Sequence, residues 1–225
     1  MPNVVELIHA SKGYPSNGNS VWALRDVSLA IPKGSFTAIV GRSGCGKSTL
    51  LSLAGAVDLP SSGEVRIEGV STAKLSDAQL SHLRRTRIGF VFQFFHLLPT
   101  LTVSENVALP LLLEHRRVSN DSEARVNELL GMMGLENKAK MFPHQLSGGE
   151  MQRTAIARAL VHEPLLVIAD EPTGNLDSVN AANILHWLEQ AWKEMGQTIL
   201  MATHSREAAD RASRVIEMRD GEVWS

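Results

Sequence analysis

Phe36-Thr37-Ala38-Ile39-Val40-Gly41-Arg42-Ser43-Gly44-Cys45-Gly46-Lys47-Ser48 says more about the architecture than any other part of the chain. Its first five residues form a short apolar run, long enough for a strand buried on both faces. Ser28-Leu29-Ala30-Ile31 reads as the end of an earlier strand, and Pro32-Lys33-Gly34 as the turn between them. Behind the run comes a glycine-rich loop, and Thr49 to Ala54 has the composition of a helix. Gly41-x4-Gly46-Lys47-Ser48 between a strand and a helix is the P-loop pattern in the context it requires.

The chemistry follows from the residue types. Glycines let the backbone wrap a polyphosphate with its N–H groups turned inward, and the helix start adds partial positive charge. Lys47 reaches the β and γ phosphates, and Ser48 offers a hydroxyl to Mg²⁺. Gly41, Arg42, Ser43, Gly44, Cys45, Gly46, Lys47, Ser48 and Thr49 are therefore expected to bind the nucleotide, with ATP and Mg²⁺ as the ligands. A glycine turn that fits by accident is the competing account, and the strand-loop-helix setting argues against it. Cys45 sits near a helix start, where a thiol is more readily ionised. A redox switch and a small residue at a variable loop position are the two readings, and the second is preferred.

Further along, Pro60-Ser61-Ser62-Gly63 reads as a turn and Glu64 to Glu68 alternates like a half-exposed strand. Asp77 to Arg85 reads as helix, and Ile88 to Phe92 as a buried strand ending at Gln93. From there to about Pro143 strand signals vanish and helical stretches dominate, which reads as a helical insert in an α/β core. Ser122 to Met133 places Val126, Leu129, Leu130 and Met133 on one helical face. The α/β pattern then resumes with helix Glu150 to His162, strand Leu165 to Ala169, helix Ala181 to Met195, and strands Thr198 to Ala202 and Val215 to Met218. Asp220-Gly221 signals a hairpin. Apolar runs alternating with helices predict an α/β fold, a mainly parallel sheet covered by helices.

Leu166-Val167-Ile168-Ala169-Asp170-Glu171 ends an apolar strand in two carboxylates. In an open α/β sheet such an end faces the ligand crevice. Asp170 is placed to hold Mg²⁺, and Glu171 to polarise the attacking water as general base. A strand edge meeting solvent is the alternative, and the P-loop nearby outweighs it. His204 follows the strand Thr198 to Ala202 on the same rim. On its own it reads as a solvent-facing histidine.

Leu146-Ser147-Gly148-Gly149-Glu150, followed by Gln152-Arg153, resembles the signature motif of ATP-binding cassette (ABC) ATPases. With that resemblance the whole chain falls into register. It implies a P-loop NTPase with a RecA-like core, an N-terminal antiparallel β subdomain and an α-helical insert at about 94–160, in one nucleotide-binding domain spanning 1–225. It implies a head-to-tail homodimer in which Leu146, Ser147, Gly148, Gly149 and Glu150 meet the ATP held by a second copy. Tyr14, the only tyrosine, resembles the aromatic that stacks on adenine, with Trp22 a weaker candidate. Gln93 resembles the glutamine that touches Mg²⁺ or water and links the core to the helical insert. Asp177, in Gly174-Asn175-Leu176-Asp177, resembles the residue that reaches across the dimer. His204 resembles the switch histidine, which reverses the solvent reading. The resemblance thus implies Glu171, His204 and Gln93 as catalytic residues, and Ser48, Gln93 and Asp170 as the Mg²⁺ set.

Arg87 to Pro99, Leu101 to Leu111 and Thr173 to Ser178 are similar to the lipoprotein-releasing (LolD) and macrolide-exporter (MacB) group, which includes FtsE-like ATPases. In that group the ATPase drives a permease with few transmembrane helices and a large extracytoplasmic domain. The resemblance implies an ATPase subunit energising a separate MacB-, LolC- or FtsX-type permease that docks near Gln93. Phe94, Phe95, Leu97 and Leu98 are expected to form an exposed groove there rather than local core. A regulatory, FtsE-like role and a soluble non-transport ABC protein are the alternatives. The latter class usually carries a coiled-coil insertion or a second cassette, and neither is seen in this sequence.

Composition fits these expectations. Over 225 residues, 44% hydrophobic and 20% charged, the formal net charge is -2. That balance gives no global attraction to nucleic acid, and no nucleic-acid partner is expected. One cysteine precludes an internal disulfide and fits a reducing compartment. The N-terminus lacks the pattern of a signal peptide, and the apolar run Ala108 to Leu113 is too short to span a bilayer. The expected location is the cytoplasmic face of the membrane, held there through the permease.

Overall fold

The computed structural model describes residues 2–16, 19–115 and 119–224. Two long strands, β1 (Asn3–Ser16) and β2 (Asn19–Pro32), pair antiparallel, and β1 pairs on its other side with β4 (Ser62–Ile67). The two-residue β5 (Val70–Ser71) completes a four-stranded antiparallel sheet in the order β2-β1-β4-β5. The register of β1 slips between Leu7 and Ala10. Those irregularities break the alternation that a strand reading depends on, so only the end of β2 is evident from the residues.

The second sheet holds the site. It runs β10 (Glu222–Trp224), β9 (Arg214–Arg219), β3 (Phe36–Val40), β8 (Ile199–Thr203), β7 (Leu166–Asp170), β6 (Ile88–Phe92). Five of these strands are parallel, and β10 returns antiparallel after Asp220-Gly221 as the hairpin signal predicts. The apolar runs are continuous because each strand feeds two cores. On β3, β7 and β8, residues Phe36, Ala38, Val167, Ala169, Ile199 and Met201 enter one cluster. Ile39, Leu166, Ile168, Leu200 and Ala202 enter the other. A period of two with both faces apolar is what a doubly covered sheet demands.

Helix α1 (Lys47–Ala54) lies between the two sheets. It begins two residues before the predicted Thr49. Leu50 and Leu53 are fully buried, each contributing about 1.5–3 kcal/mol of transfer free energy. The opposite face of the parallel sheet is covered by α3 (Val103–His115), α4 (Asn120–Met132), α5 (Gly148–Leu160) and α6 (Ser178–Lys193). Val126, Leu129, Leu130 and Met133 are buried together as their spacing predicts. α2 (Asp77–Arg87) and the short α7 (Arg206–Asp210) complete the fold. α3 contains Pro110. A proline inside a helix costs a backbone hydrogen bond, and α3 compensates with tertiary packing against α4 and α5. No helix among the described residues is long and apolar enough to cross a membrane.

Candidate nucleotide site

The loops after β3, β6, β7 and β8 all leave the C-terminal edge of the parallel sheet, where open α/β folds hold their ligands. They enclose a cleft of about 780 Å³, ample for a nucleotide. Ser43, Gly44, Gly46, Lys47, Ser48 and Thr49 line one wall, and Gln93, Asp170, Glu171 and His204 the other.

The helix starts are not alike. In α2, α4, α5, α6 and α7 a Ser or Asp side chain accepts a hydrogen bond from the first turn. α1 has no such side-chain cap and begins with Gly46 at φ 106°. Its first N–H groups are left for an anion. Gly46 is required twice over: its φ is left-handed, and a Cβ there would lie 2.3 Å from the Ala23 carbonyl oxygen. Lys47, only 8% exposed, donates to the Gly41 and Arg42 carbonyl oxygens at 2.8 and 3.1 Å. Its charge is thereby held at the loop.

Asp170 faces the Ser48 hydroxyl in the cleft. Burial pushes its carboxyl above the usual range, the neighbouring Glu171 adds to the rise, and Ser48 and Lys47 partly offset it. Two hard oxygen ligands in a partly buried cleft suit Mg²⁺, which keeps most of its waters and takes one or two protein oxygens. Glu171 adopts φ 47°, a conformation that costs a non-glycine residue about 1–2 kcal/mol. This backbone turns its carboxylate along the rim, where Oε2 accepts from His204 Nδ1 at 2.9 Å. Burial differs across the pair: 18% of the Glu171 side chain is exposed and 69% of that of His204.

Gln93 lines the cleft, but its amide is engaged with Asn175. Gln93 Nε2 donates to Asn175 Oδ1, and Asn175 Nδ2 donates to the Gln93 carbonyl, both at 3.1 Å. Asn175 is not evident as a site residue from the sequence, although it stands in the same run as Asp177, because it and Gln93 are 82 positions apart. Phe92, Phe94, His96 and Ala23 also line the cleft.

Several predicted residues lie elsewhere. Gly41, Arg42 and Cys45 line a separate hollow behind the loop with Glu217 to Asp220. Cys45 is buried in the core between the sheets. Neither Tyr14 nor Trp22 is among the described residues lining the cleft. The Tyr14 hydroxyl donates to Asp58 Oδ2 at 3.1 Å, with Lys12 5.2 Å from its ring centroid. Trp22 packs over Gly13.

The run Leu146 to Glu150 starts α5 two residues earlier than predicted. Ser147 caps the helix by accepting from the Glu150 N–H at 3.3 Å, while Glu150 Oε2 accepts from the Ser147 N–H and hydroxyl at 2.8 and 2.9 Å. This reciprocal box holds the Glu150 carboxyl below its usual range. Gly149 has a packing reason to be glycine. A Cβ there would lie 2.2 Å from Asn180 Oδ1 on α6. Gly149→Ala is therefore expected to destabilise the fold by about 1–3 kcal/mol, seen as a lower chemical-denaturation midpoint. An unchanged midpoint would show that α5 and α6 can part without cost. Asp177 caps α6, accepting from the Val179 and Asn180 N–H groups at 3.1 and 3.0 Å. The backbone bond from Asn180, followed by its side chain, holds the Asp177 carboxyl low.

Phe94 is 68% exposed and Leu98 44%, but Phe94 borders the nucleotide cleft. The apolar groove lies beside it, about 460 Å³ in volume. Phe90, Phe92, Leu109, Pro110, Leu113 and Arg158 are among its walls. None of Phe94, Phe95, Leu97 and Leu98 lines it; this groove is built from α2, β6, α3 and α5 instead of the residues expected to form one.

A parallel sheet with an uncapped P-loop helix, and an Asp-Glu strand end facing it, defines a P-loop nucleotide hydrolase, and the Leu146 to Glu150 run at the start of α5 points to the ATP-binding-cassette type. Comparison with known proteins agrees. Residues 24–174 match the family model described as ABC transporter. The chain is 44% identical over 221 residues, 98% of its length, to the macrolide export ATP-binding/permease protein MacB of Mannheimia succiniciproducens. It spans 34% of that relative's length, about a third. The dimeric, post-hydrolysis ATP-binding cassette MJ0796 bound to ADP and Pi superposes with a TM-score of 0.90 at 42% identity, covering 98% of this chain and 97% of that one. cbiO1 of Clostridium perfringens, part of the transporter complex cbiONQ, gives 0.88 at 30% identity, covering 100% and 88%. The chain belongs to the ABC transporter family.

Proposed function

We infer that this cassette hydrolyses MgATP between two copies of itself and drives a membrane permease. The observation that carries the reading is the convergence of Lys47, Ser48, Asp170, Glu171 and His204 on one cleft. Lys47 and the free N–H groups of α1 bind the β and γ phosphates. Ser48 and Asp170, joined by Gln93 once its amide leaves Asn175, are the Mg²⁺ ligands. When bound, the ion neutralises phosphate charge and orients the γ group. Glu171 takes a proton from the attacking water, whose oxygen bonds to the γ phosphorus as the bridging oxygen leaves with ADP. His204 hydrogen-bonds a γ oxygen as charge develops there. Tyr14 is the adenine-stacking aromatic.

The second half of the site comes from another copy. Ser147, Gly148 and Gly149 open α5, and their donors face the partner's γ phosphate after the Ser147 hydroxyl turns from Glu150. Asp177 lies at the same interface. The dimers of the 42%-identical cassette support this arrangement. Residues 94–160 act as the helical insert of a single nucleotide-binding domain. The groove along β6 and α3 takes the permease, keeping the chain at the cytoplasmic face of the membrane. The MacB relative supports the permease subfamily.

Phosphate release from MgATP by the purified chain tests this reading. Below the dimerisation constant the rate is expected to rise with the square of protein concentration. A rate strictly proportional to concentration over a hundredfold range would mean that one chain suffices.

A further inference from the structure

Gln152 lies on α5, one turn into the helix that Ser147 opens, and its side chain is fully buried. Its Nε2 donates to the Pro172 carbonyl oxygen at 2.7 Å and to the Phe92 carbonyl oxygen at 3.3 Å. Both partners are acceptors, so the orientation of the amide is dictated by its surroundings. Oε1 is buried and has no partner among the described residues. Buried polar atoms are normally paired, so this amide is held in place for its two donor bonds.

The partners give the arrangement its meaning. Phe92 precedes Gln93, and Pro172 follows Glu171. One buried amide therefore ties the helix that starts at the signature run to the backbone beside the Mg²⁺-proximal glutamine and the backbone beside the proposed base. Asn175 holds the Gln93 carbonyl from the next loop. We propose that Gln152 is a positioning residue that couples α5 to Glu171 and Gln93, so that nucleotide seen by the signature end sets the geometry of the hydrolytic end. The proposal rests on the assignment of Glu171 as base. Gln152 is not among the described residues that line the nucleotide cleft.

The test uses Gln152→Met, which keeps length and apolar bulk but cannot donate, together with Gln152→Ala. ATP affinity without hydrolysis, kcat, KM and thermal melting are measured for both, with Glu171→Gln alongside. The expected result is kcat lower by about ten- to a hundredfold, the scale of a catalytic group misplaced by about an ångström. ATP affinity stays within about twofold, because the P-loop is untouched. A kcat within twofold of wild type in a folded variant overturns the proposal. So does a loss of ATP affinity and kcat in step with melting temperature, or failure of both variants to fold, either of which makes Gln152 a structural peg. If Glu171→Gln hydrolyses at the wild-type rate, the base assignment fails on its own, whatever the Gln152 variants show.

Discussion

Replacing Glu171 with Gln is expected to lower steady-state ATP hydrolysis by about 10²–10⁴-fold, the range of a positioned general base. Shape is retained, since Gln matches Glu in size and its backbone can keep φ 47°. What is lost is the charge. The substituted side chain would present an amide to His204 Nδ1, now 2.9 Å from the Glu171 carboxylate, and could not accept the proton of the attacking water. The phosphate-binding wall is untouched, so ATP binding should persist. Phosphate release and equilibrium ATP binding on the same preparation separate the two effects. A rate within threefold of wild type would remove Glu171 from the chemistry.

Replacing Lys47 with Ala is the second large effect, and it acts at the binding step. Lys47 is the cation held at the loop by the Gly41 and Arg42 carbonyls. Hydrogen bonds to charged groups are worth about 1.5–3 kcal/mol each, and the proposed function gives Lys47 two phosphates to contact. ATP affinity should therefore fall by at least about a hundredfold. Stability should change little, because the two carbonyls left behind belong to Gly41 and Arg42, which are half-buried and exposed. Isothermal titration with ATP, paired with a melting curve, checks both statements. Tight binding by folded Lys47→Ala would dissociate the phosphate site from this loop.

Much of the fold is legible in the sequence where side-chain patterning is local. Phe36–Val40 and Ile88–Phe92 are strands with the bounds their apolar runs suggest, because a strand between two cores is apolar from end to end. β1 was hidden by its register slips. α3 lies in the stretch read as a helical insert, but its bounds are hidden by Pro110 and by apolar residues spread around its circumference. In the cleft, glycines and charged residues at strand ends carry a signal strong enough to read directly. The direction in which a loop residue points does not. Cys45 faces the core although both its neighbours are glycines of the same loop. Pairings such as Gln93 with Asn175, or Gln152 with Phe92 and Pro172, exist only after the chain has folded. Glycine itself is ambiguous: Gly149 reads as part of an anion cradle and also leaves room for Asn180.

Whether two chains share each ATP is decided by the mass of Glu171→Gln in sedimentation, with and without MgATP. A monomer is expected without nucleotide and a dimer holding two ATP molecules with it, the dimer vanishing when Lys47→Ala is added. A saturated, ATP-bound monomer would refute the shared site, because the cleft would then be complete within one chain.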